Sequence, residues 1–415
     1  MNIKIIKDKR FKEVIVTVNF MSKLNRDTFH YKYLMADLFS DVCKAYPTKL
    51  AAMHEVSCLY GTSLLTNTSI DGEGITFSLS TQCINSRYVK NDFDLLEGQI
   101  KLMSEYLLHP LCDNECFNQD VFEEAKRMCI AKLERKLDSP DAYALFKILE
   151  IAGNDDPFGL IPQFKIDQFK TLDNKKAYQF YLDMLENNRI DFIICGDVEE
   201  KHAEALLNKY FHFKDGGNTY CEYETSIKSL DSLYFGSRDI NQTNIVLLYN
   251  APFDYYTNDY YAYLVGVYLL GLDPSSLLFQ EVREKHSLCY SIASVPIVAD
   301  HLMYISTGVA EKDIKQTIEL SQIQVERVKT GDYDADLIKI AKQMIINSYR
   351  RAQENNEDMV ARTYREITIK RTITIDQVKK YLETITKDDI SKVFDKVVYI
   401  SGYVLSKNGA AAWKE

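Results

Sequence analysis

The sequence holds no arrangement of histidines suited to a catalytic metal. Its seven histidines are isolated, and nowhere do two of them flank a glutamate in either spacing used by zinc hydrolases. His54-Glu55 opens such a run, but the fifth residue is Cys58. A lone histidine is far more often a surface or satisfied core residue than a ligand, so no zinc site is expected in this chain. There is no Gly-x-Ser-x-Gly elbow, no phosphate-cradling glycine loop and no dinucleotide fingerprint. The most apolar run, 260–272, is too short to span a bilayer and ends at Asp273-Pro274. The opening MNIKIIKDKR is charged and lacks the apolar core of a secretory signal. A basic excess is also missing: the net charge is −10, which argues against a sequence-independent nucleic-acid binder. The nine cysteines show no disulfide framework, and no second pair or nearby histidine completes a metal site around Cys112 and Cys116. Reduced thiols in a cytoplasm are the expectation.

What is present is the composition of a soluble globular chain. The 415 residues are 46% hydrophobic and 27% charged, enough for two domains with full cores. Alternating stretches at 3–20 read as one or two strands, followed by helices at 31–45 and 48–60. Strands at 64–70 and 75–81 meet at an Asp71-Gly72 turn. Helices follow at 95–108, 121–137, 141–151 and 174–186, then a buried strand at 190–198 and a helix at 201–210. The polar stretch 215–231, opening with Gly216-Gly217, is the best linker. The second half repeats this order. It has a strand at 243–249, helices from 260 to 285, strands at 288–295 and 302–309, a series of helices from 311 to 394, and a last strand at 397–404. The order predicts an ancient duplication: two α+β domains, 1–214 and 233–415, joined by 215–232. The aromatic run 253–263 reads as core packing.

The most informative stretch is 275–291, SSLLFQEVREKHSLCYS. Asp273 suits a helix N-cap and Pro274 the first helical position. Leu278 and Val282 share a helical face, and from Leu288 the period changes to two, with Leu288, Tyr290 and Ile292 on one side. A helix-to-strand turn of this kind presents a cation, Arg283, and a phenol, Tyr290, to one ligand. Read without that ligand, Arg283 is a cation favoured in a last helical turn and Tyr290 a half-buried strand residue.

This stretch resembles the second-half signature of the pitrilysin/insulinase family of zinc peptidases, through Ser275, Ser276, Leu278, Phe279, Arg283, Glu284, Lys285 and Tyr290. Asp273 and Pro274 stand where the family has glycines before the serines, and Ser287 stands where a glycine is common. Similar runs occur at 46–64, in the Asp-Pro-Phe-Gly loop at 156–159, at 190–198 and at 241–253, most like the small two-domain bacterial members whose half-ring subunits pair. The resemblance implies two processing-peptidase-like α+β domains, each a mainly antiparallel sheet covered by helices. The family's His-x-x-Glu-His motif sits on the first long helix, which here has no glutamate and no histidine after His30. The implied function is that of a non-zinc subunit in a heterodimeric metallopeptidase. Zinc would belong to a homologous partner subunit, and Arg283 and Tyr290 would be catalytic and substrate-binding residues on a peptide substrate. Processing of a small secreted peptide, such as a bacteriocin precursor, is a specialised form. A catalytically inactive peptide-binding or scaffold protein of the same fold is the alternative.

Overall fold

The computed structural model describes residues 1–90, 93–214, 217–220 and 230–413. The first half builds one five-stranded sheet from β1 (Asn2–Lys7), β2 (Glu13–Lys23), β3 (Ser63–Asp71), β4 (Gly74–Ile84) and β5 (Arg189–Gly196), in the spatial order β1-β5-β2-β4-β3. The second half builds another from β6 (Ser232–Ser237), β7 (Thr243–Asn250), β8 (Cys289–Ile297), β9 (Leu302–Val309) and β10 (Val398–Ser406), in the order β6-β10-β7-β9-β8. The two orders are the same, strand for strand. In each sheet only the edge pair β1/β5 or β6/β10 is parallel, and all other neighbours are antiparallel. The duplicated α+β architecture is therefore present in the backbone pairing. The expected hairpin turn between β3 and β4 falls at Gly72, whose φ of +56° lies in the region glycine enters without strain.

β6 was not anticipated. Its residues are half-buried without alternation, so period gives no signal, and its strand character comes from in-register parallel pairing with β10. The linker expected at 215–232 falls largely on 215–216 and 221–229, which lie outside the described residues.

The compact units are interleaved in sequence rather than divided at the linker. Unit 1 comprises Met1–Glu134, Pro162–Cys221 and Ala352–Thr372, and unit 2 comprises Arg135–Ile161, Glu222–Arg351 and Ile373–Glu415. Two helices account for the difference from contiguous halves at 1–214 and 233–415. Helix Pro140–Gly153 buries Ala144, Ile148, Leu149 and Ala152, a stripe at helical spacing that packs on β7 and β10 of unit 2. Helix Asn356–Thr368 is capped by Asn355, which accepts from the Glu357 and Asp358 N–H groups. Its Val360 joins Ile15, Ile193 and Cys195 in a core cluster of unit 1. The apolar face of each helix finds its cover on a sheet from the other half of the sequence.

Unit 2 holds the aromatic cluster expected at 253–263. Phe253 stacks on Tyr263 at 4.7 Å and Tyr255 on Tyr260 at 4.6 Å. Among the described residues no helix is long and apolar enough to cross a membrane.

Candidate functional site

The segment bearing Arg283 and Tyr290 starts where helix Asp259–Gly271 ends. Gly271 is required there, because a Cβ would come within 2.6 Å of the Ser294 backbone nitrogen. β8 thus packs directly on the helix end, tied by the Ser294 hydroxyl donating to Val267 O at 2.8 Å. Asp273 accepts from the Ser275 N–H at 2.8 Å and from the Ser275 hydroxyl. It closes a turn rather than capping a helix at Ser275, and helical geometry begins at Leu277. Leu278 and Val282 are fully buried on one face, as their spacing predicts.

From Phe279 to Lys285 the helix is wound wider, as a π-helix, with the His286 N–H reaching Glu281 O five residues back at 3.3 Å. Ser287 then adopts φ +54°, the left-handed position a glycine would fill without strain. The strand register slips between Cys289 and Ile292 against β9. This bulge corrects the period-two expectation. Ile292 is 5% exposed and faces the core, while Tyr290 is 81% exposed. An extra residue in one strand turns the following side chains over, and here it frees the phenol.

The guanidinium of Arg283 lies against two rings. Its Cζ is 4.3 Å from the Phe279 ring centre and 5.3 Å from that of Tyr290. Glu284 Oε1 approaches its Nε only to 3.7 Å, too far for a hydrogen bond. Glu281, the other nearby acid, is engaged by Lys285 at 2.8 Å and His286 at 3.3 Å, and the Lys285 ammonium holds its carboxyl below the usual range. Among the described residues, no acceptor lies within hydrogen-bond distance of the Arg283 guanidinium. A planar fork of N–H donors is thus fixed by stacking beside an exposed phenol. Such a pair suits a carboxylate, or a carbonyl oxygen gaining negative charge. Phe279 was overlooked as a functional neighbour, although its i, i+4 spacing to Arg283 is the sequence signal for it.

In unit 1, the helix that would carry a zinc motif is Phe29–Leu38. Its Lys32 is 1% exposed and donates to Asn188 Oδ1 at 2.7 Å, Ser22 Oγ at 2.8 Å and Ile75 O at 3.0 Å. Burial depresses its pKa to about 7. Asp37 on the same helix accepts from Lys132 at 2.6 Å. A divalent cation needs converging carboxylate, imidazole or thiolate donors, and here two amines take those acceptors. The helix does not fit zinc, and no group of three such donors converges among the described residues.

The fold is a duplicated α+β architecture, and the donors around helix Phe29–Leu38 do not fit zinc. A family model described as the peptidase M16 inactive domain matches residues 171–345. The probable inactive metalloprotease YmfF of Bacillus subtilis is 23% identical over 413 residues, covering 98% of this chain and 96% of that protein. An uncharacterized zinc protease of Mycobacterium leprae is 23% identical over 211 residues, covering 50% of this chain and 47% of its own. A conserved protein of Enterococcus faecalis superposes with a TM-score of 0.89 at 23% identity, over 97% of this chain and 96% of that one. The M16 inactive domain of Pseudomonas fluorescens superposes at 0.73 with 15% identity, over 97% and 95%. Over 171–345, and by its likeness to these relatives, the chain is similar to the peptidase M16 family, the pitrilysin/insulinase group that its 275–291 stretch resembles, and its sequence lacks the His-x-x-Glu-His motif.

Proposed function

We propose that this chain is the non-zinc subunit of a heterodimeric metallopeptidase, and that Arg283 and Tyr290 are what it contributes to catalysis. The metal belongs to a homologous partner subunit. This chain's own residues hold the peptide: the guanidinium and phenol donate to the carbonyl oxygen of the bond being cut as negative charge builds there. The observation that carries the reading is the guanidinium immobilised between Phe279 and Tyr290 with no acceptor within hydrogen-bond distance among the described residues. A guanidinium held against two rings, one-third exposed and without a protein acceptor among the described residues, is open to a substrate oxygen. We place the complex in the cytoplasm, in keeping with eight described cysteines that are all unpaired. Maturation of a small secreted peptide, such as a bacteriocin precursor, is the specialised substrate to try.

The test is reconstitution. The chain alone is expected to hydrolyse no peptide, and activity is expected on mixing with an M16 subunit that bears His-x-x-Glu-His. Arg283→Ala or Tyr290→Phe should then lower turnover by about a hundredfold, with assembly unchanged by size-exclusion chromatography. Full activity in both variants would instead favour the inactive scaffold.

A further inference from the structure

A pocket of about 460 Å³ opens in unit 1 between strands β2, β4 and β3 and helix Asn356–Thr368. It lies on the sheet face away from helix Phe29–Leu38. On β3, Leu65, Asn67 and Ser69 line the pocket together with Thr66, while the hydroxyls of Thr66 and Thr68 point to that helix, donating to Ala36 O and Lys32 O. Its walls are hydroxyls and amides: Thr17, Asn19, Ser63, Ser78, Ser80 and Gln82. Among the described residues no Lys, Arg, His or Cys lines it, and Asp71 and Glu357 are the acids. This chemistry rejects anions, offers no soft metal ligand and contains no nucleophile paired with a base. It is a binding chemistry for neutral polar groups.

Most of these groups satisfy one another. Thr17 and Ser80 share a hydrogen bond at 2.8 Å, and Tyr364 meets Thr76 at 3.1 Å. Two do not. Asn19 is 3% exposed; its Oδ1 accepts from Ser78 Oγ at 2.8 Å, but its Nδ2 has no partner among the described residues, and neither has Ser63 Oγ. Turning the carboxamide over only exchanges which end is unmet. A buried donor without an acceptor is costly to leave in place, and an incoming acceptor removes that cost.

The duplication supplies a control. At the equivalent place in unit 2, strands β7, β9 and β8 and helix Pro140–Gly153 border a pocket of about 600 Å³. There Gln242 lies over Gly308, Thr307 donates to Ser291 O at 2.8 Å, and no unpartnered buried side-chain atom is found among the described lining residues. The unmet groups are a property of unit 1, not of the fold.

We propose that the unit 1 pocket binds an extended neutral peptide segment, one carbonyl oxygen accepting from Asn19 Nδ2 and an N–H several residues along donating to Ser63 Oγ, because the sheet register sets Ser63 four residues along β3 from Asn67, which lies in line with Asn19 two strands across. A neutral peptide segment offers both groups at each residue, and Ile15, Leu65, Val360 and Ala361 accept small aliphatic side chains. The proposal stands on unit 1 alone and does not depend on the metallopeptidase reading.

The full-length chain is titrated with two probes, the neutral pentapeptide N-acetyl-Ala-Ser-Ala-Ser-Ala N-methylamide and propionamide. Affinity is read by calorimetry and the Asn19 side-chain NH₂ resonances by NMR. Saturable binding that moves those resonances is expected. Binding of the peptide in preference to propionamide supports recognition of the extended backbone; propionamide binding as tightly as the peptide overturns it. Asn19→Asp keeps the acceptor for Ser78 and removes the donor, and should weaken binding about tenfold or more. Ser63→Ala, which adds no buried charge, should weaken it about threefold or more and decides the matter if the first variant does not fold. Gln242→Ala in unit 2 should change nothing. No saturable shift with either probe, or wild-type affinity in a folded Ser63→Ala variant, overturns the proposal.

Discussion

The two helices that follow the second strand of each sheet treat polarity in opposite ways. Helix Phe29–Leu38 of unit 1 encloses an ammonium, Lys32, and surrounds it with three acceptors. Helix Asp259–Gly271 of unit 2 is apolar and aromatic on nearly every side, with Tyr261 and Tyr263 buried. The cation of its neighbourhood, Arg283, stands on the next segment, one-third exposed and held by rings rather than by acceptors. The contrast is between a side chain sealed among acceptors and one left beside rings, which we propose as the binding charge. A sealed, hydrogen-bonded group holds the fold, whereas a guanidinium that is one-third exposed and has no protein acceptor among the described residues can exchange its water for a ligand.

This distinction is open to breaking. The largest effect is expected for Lys32→Ala, which leaves three acceptors without their donor and opens a cavity. It should cost about 3 kcal/mol or more in a urea denaturation series. Lys32 also has a pH signature. Its pKa falls from the ordinary 10.5 to about 7 in the folded chain. Between those values the unfolded chain binds a proton that the folded chain has released, so stability rises with pH. Wild type should therefore gain on Lys32→Met as pH is raised from 7 to 9. If that difference does not move with pH, Lys32 is not the sealed charge described.

Gly271→Ala should come next, at about 1–3 kcal/mol, because its Cβ would press on the Ser294 backbone nitrogen. Ser287→Gly should have the opposite sign. Relief of the left-handed φ at that position is expected to stabilise the chain by about 0.5–1 kcal/mol in the same denaturation series. Smallest of all, Arg283→Ala and Tyr290→Phe should leave stability within about 0.5 kcal/mol of wild type. A large loss of stability in either would make the pair structural and erase its contrast with Lys32.

Much of the fold was readable in the sequence. Helices 95–108 and 387–394 and strand 302–309 fall where expected, because each couples a strong period to clear end signals. Other features were not readable. β6 carries no period and exists only through its pairing with β10. The bulge at Tyr290 looks like ordinary alternation until β9 is placed beside it. The exchange of helices Pro140–Gly153 and Asn356–Thr368 follows from which sheet accepts their apolar stripes, a choice that their own periodicity does not encode. At the site, Arg283 and Tyr290 were named from their spacing, but the role of Phe279 and the loosened helix turn that sets the stack were not. Lys32 passed unremarked, since one lysine in an amphipathic helix reads as solvent-facing.

The sequence by itself determined the duplication, the order of elements, the absence of the histidine motif and the presence of an arginine and a tyrosine seven residues apart. These are properties of residue type and spacing along one dimension. Tertiary structure decided which charges are sealed and which are offered. It set Lys32 among acceptors gathered from 10, 43 and 156 residues away, and laid Arg283 against two rings with no acceptor among the described residues. Whether a polar group is satisfied depends on atoms that are neighbours only after folding, and no local pattern carries that information.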